Sequence, residues 1–276
     1  METFEFLKYF ENMPVWMRLV WLIGCIALAW VLEGVYPLFN HGYKKWSHAK
    51  TNFTLLLYTM LINVVFGVVT LGVFDWMKTD HIGLLYLFHL PAWANLLIAI
   101  MWLDLVAQYF IHYLLHKTPW MWKFHMIHHN DTYLDSTSGT RHHPGDFIFR
   151  ELFALIACII IGAPVSYYFF YRFVTIFNTY LSHSNFYTPS WVDKTIGLIF
   201  ITPNMHKFHH HYQLPWTDTN YGNIFSFWDR IFGTLVVDDP KKVRYGLDSL
   251  VDKEDKVESV GFQLKLPFNK EVHRKK

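Results

Sequence analysis

The hydrophobic residues of this chain gather in long runs separated by short polar connectors. Val15–Val35 carries only Arg18 and Glu33, both near its ends, and residues 53–74 carry no charge at all. A third run covers Leu84–Leu115, with Pro91 as the expected helix start and Asp104 as its only acid. Each is long enough to cross a bilayer core, which takes roughly 20 residues. Membrane spans are therefore predicted near 15–35, 53–74 and 91–115. A fourth run, 152–181, is interrupted by Gly162-Ala163-Pro164 and by Arg172. As one straight helix it would measure about 45 Å, too long for a core of ~30 Å. Glycine and proline break helices, so the run reads as a hairpin that enters deeply and returns to its starting face.

After about residue 182 the pattern turns more polar, and residues 237–276 are charged enough to read as a solvated tail with a strand or two. This divides the chain into a membrane-embedded catalytic domain, 1–236, and a polar cytoplasmic tail, 237–276. No solenoid repeat is visible. The N-terminal segment is mixed in charge and lacks a small-residue cleavage site, so the first run is expected to be retained rather than cut off as a signal peptide. Lys44, Lys45 and Lys50 make the first connector basic, and Lys117, Lys123, Arg141 and Arg150 do the same for the third, whereas residues 75–90 are mixed. By the positive-inside rule the basic connectors face the cytoplasm. The fold class expected is all-α: a polytopic membrane helical bundle with a cytoplasmic, histidine-rich di-metal cap.

Composition agrees with a membrane protein: 53% apolar and 19% aromatic residues against 17% charged. The net charge of +2 leaves no nucleic-acid footprint. Cys25 and Cys158 lie inside apolar runs with no ligand spacing and read as core residues. Histidine is the outlier, because 12 of the 17 fall between positions 112 and 211. His112 and His116 are spaced i, i+4. His125, His128 and His129 are spaced i, i+3, i+4, and His206, His209 and His210 repeat that spacing. On helices these put imidazoles on one side of each segment. Eight imidazoles exceed what one metal takes, since zinc wants four ligands, so two metals are expected. Imidazole suits zinc, copper, iron and nickel alike, and the Glu and Glu-x-x-His pattern of soluble di-iron bundles is missing.

The three boxes HYLLH, HMIHH and HKFHH resemble those of the fatty acid hydroxylase/sterol desaturase superfamily of membrane di-iron oxygenases. Asp104 lies eight residues before His112, as in that family. Residues 141–146 (RHHPGD) resemble its R-x-H-P-x-E element, and residues 178–185 (NTYLSHSN) resemble the segment that carries a further histidine, here His183. Residues 220–222 (NYG) and 228–234 (WDRIFGT) resemble its closing signature. Two positions depart from the family pattern: Tyr113 where arginine is frequent, and Asp146 in place of glutamate. The resemblance, over roughly 100–236, implies two iron ions and dioxygen as co-substrate. It implies hydroxylation or desaturation of a lipid C–H bond, with electrons from a separate donor such as a cytochrome b5-like protein or a ferredoxin with its reductase. It adds His183 to the expected metal ligands, with His143 as a further ligand or a hydrogen-bond partner of one, and assigns Asp104, Asp146, Asn220 and Asp229 to supporting contacts, Asp104 being expected to orient a ligand histidine.

Other histidines read as ordinary. His142 and His211 adjoin better-placed neighbours, and His41, His48, His81, His89 and His273 are isolated interface or surface residues. Asp218 is expected to orient ligands of the third box or to cap a turn. Two alternatives stay open on the residues alone. One is a membrane zinc hydrolase, though no general base is placed as in HExxH. The other is a non-enzymatic metal- or haem-binding membrane protein. The string 143–146 superficially resembles a cytochrome b5 haem loop, but nothing around it supports that domain. With no G-x-G-x-x-G after a strand, the chain is not expected to bind its own nicotinamide.

Overall fold

The protein is described by a computed structural model covering residues 4–40 and 42–269; His41 and His273 lie outside the described residues. Among these residues it is all-helical, with only two isolated β-bridges, Pro37–Phe186 and Phe200–Phe225. α1 is Glu5–Glu11, α2 is Val15–Val35 and α3 is Lys45–Thr79. α4 (Ala92–Asp104) continues through a wider π turn, Leu105–Phe110, into α5, Ile111–Lys117.

Three helical stretches are long and apolar enough to cross a membrane: Val15–Val35, one that begins at Lys45, and Ala92–Lys117. In the most apolar stretch of each of the first two, only 11% of residues are buried. Leu57, Leu61, Val64, Val65 and Val68 of α3 all point outward. Leaving such side chains in water forfeits about 1.5–3 kcal/mol each, so this surface belongs against lipid rather than water. α3 has 35 residues, or roughly 52 Å at 1.5 Å per residue. Its first turns, which carry His48, Thr51 and Asn52, therefore stand beyond the apolar run.

The fourth apolar run is indeed split. α7 (Pro144–Ile161) ends at Gly162, whose φ of +75° is left-handed, and α8 (Val165–His183) begins after Pro164. Pro164 suits this place because a helix start needs no N–H. Glu151 of α7 and Arg172 of α8 pair at 2.9 Å, which explains how an arginine is tolerated in an apolar run. The turn also touches the connector before α4. A Cβ on Gly83 (φ +114°) would lie 2.2 Å from Gly162 Cα.

Between α6 (Pro119–His129) and α7, the loop 130–141 is buried and polar. His48, expected at a surface, is buried and bridges Asp131 (2.8 Å) and Asp135 (3.1 Å). Glu33 at the end of α2 accepts from Lys45, Ser136 N and Asn185 N. Arg141 is fully buried and donates to Asn52, Asn130, Ile127 O and Val257 O. The C-terminal segment departs from the expected free tail with strands. After α9 (Ser190–Lys194), α10 (Pro203–His209) and α11 (Phe227–Ile231), it forms 3-10 turns and a short helix, α12 (Val260–Lys265), and buries Leu247, Leu250 and Leu266 against Trp122, Met126, Ile127 and Leu55. These few leucines sit among charged neighbours, so their packing was hidden by the polar average of the segment.

Gly83→Ala should cost about 1–3 kcal/mol, as overpacking does, because its Cβ would clash with the backbone of Gly162 and Ile159. Gly67→Ala, with nothing within 4 Å of the new Cβ, should be neutral. Thermal unfolding of the two variants in detergent checks this, and equal melting would refute the close contact.

Candidate metal centre

Four helices deliver histidines to one place. α5 supplies His112 and His116, α6 supplies His125, His128 and His129, and α10 (Pro203–His209) supplies His206 and His209 with His210 at its end. α8 delivers His183 from its last residue, because the hairpin returns the chain to the face it left. Thr202 caps α10 by accepting from Met205 N, and Pro119 and Pro203 begin α6 and α10.

The nine histidines form two buried groups. His112, His116, His125, His129 and His209 make one, and His128, His183, His206 and His210 the other. Within each group the ligand-capable nitrogens lie within 4.8 Å of one another. The two HxxHH boxes are shared in a crossed fashion. His125 and His129 join the first group while His128 joins the second; His206 and His210 join the second while His209 joins the first. Helix geometry requires this split. Successive residues are 100° apart, so i and i+4 project together while i+3 diverges from i+4 by a quarter turn. The groups meet where the His129 and His210 rings stack at 4.5 Å.

The outward ring nitrogens are tied down. Nδ1 of His112 donates to Tyr221 O (2.9 Å), that of His209 to Thr219 O (2.6 Å), that of His183 to Thr179 O (2.6 Å) and that of His128 to Arg141 O (3.3 Å). A carbonyl only accepts, so these Nδ1 atoms carry the proton and Nε2 holds a lone pair. His116 Nδ1 lies 3.2 Å from Asp218, and His125 Nδ1 lies 3.2 Å from Asp146 Oδ1 but poorly aligned. The inward nitrogens then face one another. His183 Nε2 is 3.0 Å from His128 Nε2 and 2.9 Å from His206 Nε2, and His112 Nε2 is 3.1 Å from His125 Nε2. Lone pair against lone pair at 3.0 Å is no hydrogen bond, and His209 Nε2 is buried with no partner among the described residues. A cation between them removes both conflicts, so the donor set fits a metal in each group.

Electrostatics agree. Burial, then neighbouring histidines, holds His129 and His210 well below the usual histidine range. His125 is pushed down to about 4 by burial, with Asp146 opposing. Neutral imidazole is the form that binds metal.

Other expected residues stand elsewhere. His143 joins neither group: it caps α7, with Nδ1 accepting from Gly145 N (2.9 Å) and Nε2 near Leu264 O (3.3 Å), so both ring nitrogens are occupied. Among the described residues Asp104 touches no histidine. Its carboxylate accepts from Ile224 N, Phe225 N and Trp228 Nε1. Asp229 accepts from Tyr221 N and Gly222 N, and Asn220 holds Met205 O and the backbone of Val236. These three residues shape the loop whose Tyr221 carbonyl orients His112, one step removed from the ligands. Asp218 orients His116 of the first box. Asp146 also reaches rings directly, sharing its carboxylate among His125, His142 (2.6 Å) and Arg150 (3.3 Å). The carbonyls of Thr179, Thr219 and Tyr221 had no sequence signal, because any residue has a carbonyl.

A cavity of about 220 Å³ opens beside both groups, with His112, His128, His183 and His206 in its wall.

Comparison with known proteins gives the same centre a context. The sequence pattern of the family described as "Fatty acid hydroxylase" matches residues 96–234. An ornithine lipid hydroxylase, OlsE, from Rhizobium tropici is 34% identical over 46% of this chain and 38% of its own length. An alkylglycerol monooxygenase from Caenorhabditis elegans is 29% identical over 49% of this chain and 27% of its own. A methylsterol monooxygenase 2-2 from Arabidopsis thaliana is 24% identical over 65% of this chain and 66% of its own. The matched stretch thus spans well under half the length of the first two relatives. No solved structure matches.

His128→Ala should lose bound metal while keeping its helical content, and His143→Ala should keep the metal. Asp146→Asn should weaken metal binding by roughly 10–100-fold, as loss of a ligand's orienting partner does. Elemental analysis of the purified variants decides. Full metal in His128→Ala would refute the second group.

Proposed function

The chain belongs to the fatty acid hydroxylase family, and from that premise we propose that it is a di-iron, oxygen-dependent membrane enzyme that hydroxylates a lipid C–H bond. The observation that carries the reading is the pair of buried imidazole groups, with lone pairs turned inward, beside one cavity. In this reading His112, His116, His125, His129 and His209 hold one iron, and His128, His183, His206 and His210 hold the other. When bound, such an ion pair supplies the reduction of dioxygen and the cleavage of a C–H bond. The balance is one lipid C–H, one O2, two electrons and two protons giving one C–OH and one water. The protein's own part is to keep the imidazoles neutral, dry and aimed.

Hydroxylation is favoured over desaturation because the relatives above are named hydroxylases and monooxygenases. Electrons come from a separate donor, a cytochrome b5-like protein or a ferredoxin with its reductase. The chain crosses the membrane several times, with the metal centre on the cytoplasmic face, as the basic connectors suggest.

Protein purified without oxygen should hold close to two irons per chain. Supplied with reductant and 18O2, it should transfer label into co-purified lipid. Active protein with stoichiometric zinc and turnover indifferent to oxygen would overturn the proposal in favour of a hydrolase.

A further inference from the structure

The cavity beside the metal centre has a mixed lining. Leu22 of α2, Leu56 and Met60 of α3 and Ile176 of α8 form an apolar side that continues the lipid-facing surface. The same lining also includes His142, Arg150, Glu151 and Arg172. A pocket for a sterol ring or the middle of an acyl chain gains nothing from guanidinium groups, since burying a charge against hydrocarbon is costly. The carboxylates nearby are already engaged. Glu151 pairs with Arg172 at 2.9 Å. Asp146 Oδ2 is held by His142 at 2.6 Å and takes Arg150 only through Nε at 3.3 Å. Arg150 makes no further hydrogen bond among the described residues, so its terminal nitrogens are left to the cavity. It also lies near both histidine groups: after burial, its charge is among those that hold His125, His206 and His209 down.

Resting on the hydroxylase reading above, we propose that this cavity binds the anionic headgroup of a polar lipid, with Arg150 as the specificity-determining residue that grips its phosphate or carboxylate. Arginine suits the task, because its planar fork can take two oxygens at once. The acyl chains then leave along the apolar wall towards α2 and α3. The headgroup sits one helical turn from Asp146, which itself touches His125. The oxidised carbon therefore lies in or next to the polar head, not deep in a chain.

Arg150 could instead serve only to hold Asp146, and metal content separates the two roles. The test is calorimetric titration of metal-loaded protein, in a neutral maltoside detergent, with dioctanoyl phosphatidate, dioctanoylglycerol and inorganic phosphate. The first two share their chains and differ in the anionic head. Phosphatidate should bind at least tenfold tighter than the diacylglycerol. Arg150→Gln should abolish that preference and Arg150→Lys should retain part of it, both with wild-type metal content. Equal affinity for the two lipids would overturn the proposal, as would a preference that survives in Arg150→Gln. Inorganic phosphate competing as well as phosphatidate would mean a free-anion site, and metal loss in Arg150→Gln would mean a structural role. Failure of the hydroxylase reading would appear separately, as wild-type protein without iron or without labelled product.

Discussion

Nine imidazoles buried in two touching groups set the terms for the rest of this structure. Histidine rings packed with lone pairs inward repel one another until a cation lies between them. The fold must hold them there meanwhile, and it does so from outside. Tyr221, Thr219, Thr179 and Arg141 each present a carbonyl that fixes one Nδ1 proton, and Asp146 and Asp218 stand by two further rings. Fixing a tautomer through its outer nitrogen is the usual way proteins aim a metal-binding histidine. The price is a shell of polar backbone that must itself be satisfied. Asp104, Asp229 and Asn220 meet that need by tying down the loop 220–228 and the neighbouring 205 and 236 backbone.

The membrane imposes the second constraint. Asp104 lies midway along the Ala92–Lys117 stretch, where an unpaired carboxylate is expensive. Its oxygens are taken by two backbone N–H groups and an indole of residues 224–228, which would otherwise be orphan donors at that depth. Donors and acceptor cancel each other's cost. The π turn that follows, 105–110, widens the helix and re-aims His112 and His116 relative to the helix below. Such turns recur at functional sites for this reason.

A third layer holds the cap to the helices. Arg141 joins α3, α6 and the C-terminal segment through Asn52, Asn130 and Val257, while its own carbonyl orients His128. Glu33, His48, Asp131 and Asp135 do similar work on the other side of the loop. Burying these charges is tolerable only because each is paired and hydrogen-bonded. The polar C-terminal stretch thus closes over α6 and reaches the metal centre at second hand.

Much of this was legible in the sequence because it depends on local periodicity. Apolar runs reported the three long helices, Gly162-Ala163-Pro164 reported the break between α7 and α8, and histidine spacing reported which residues converge. His183 entered through a family resemblance, and the hairpin explains its position. The crossed sharing of the HxxHH boxes also follows from 100° per residue, although it emerges only when helices face each other. What the tertiary structure alone decided is which polar group meets which. The sequence offers His143 as a further ligand, yet a proline helix start next to it claims its ring as a cap. His48 looked isolated, yet its partners Asp131 and Asp135 lie more than 80 residues away. Asp104 was expected beside a histidine and serves a loop 120 residues downstream. Backbone carbonyls carry no residue-type signal at all. Periodicity is written into neighbours along the chain, whereas the pairing of buried polar groups is fixed by the global requirement that none be left without a partner.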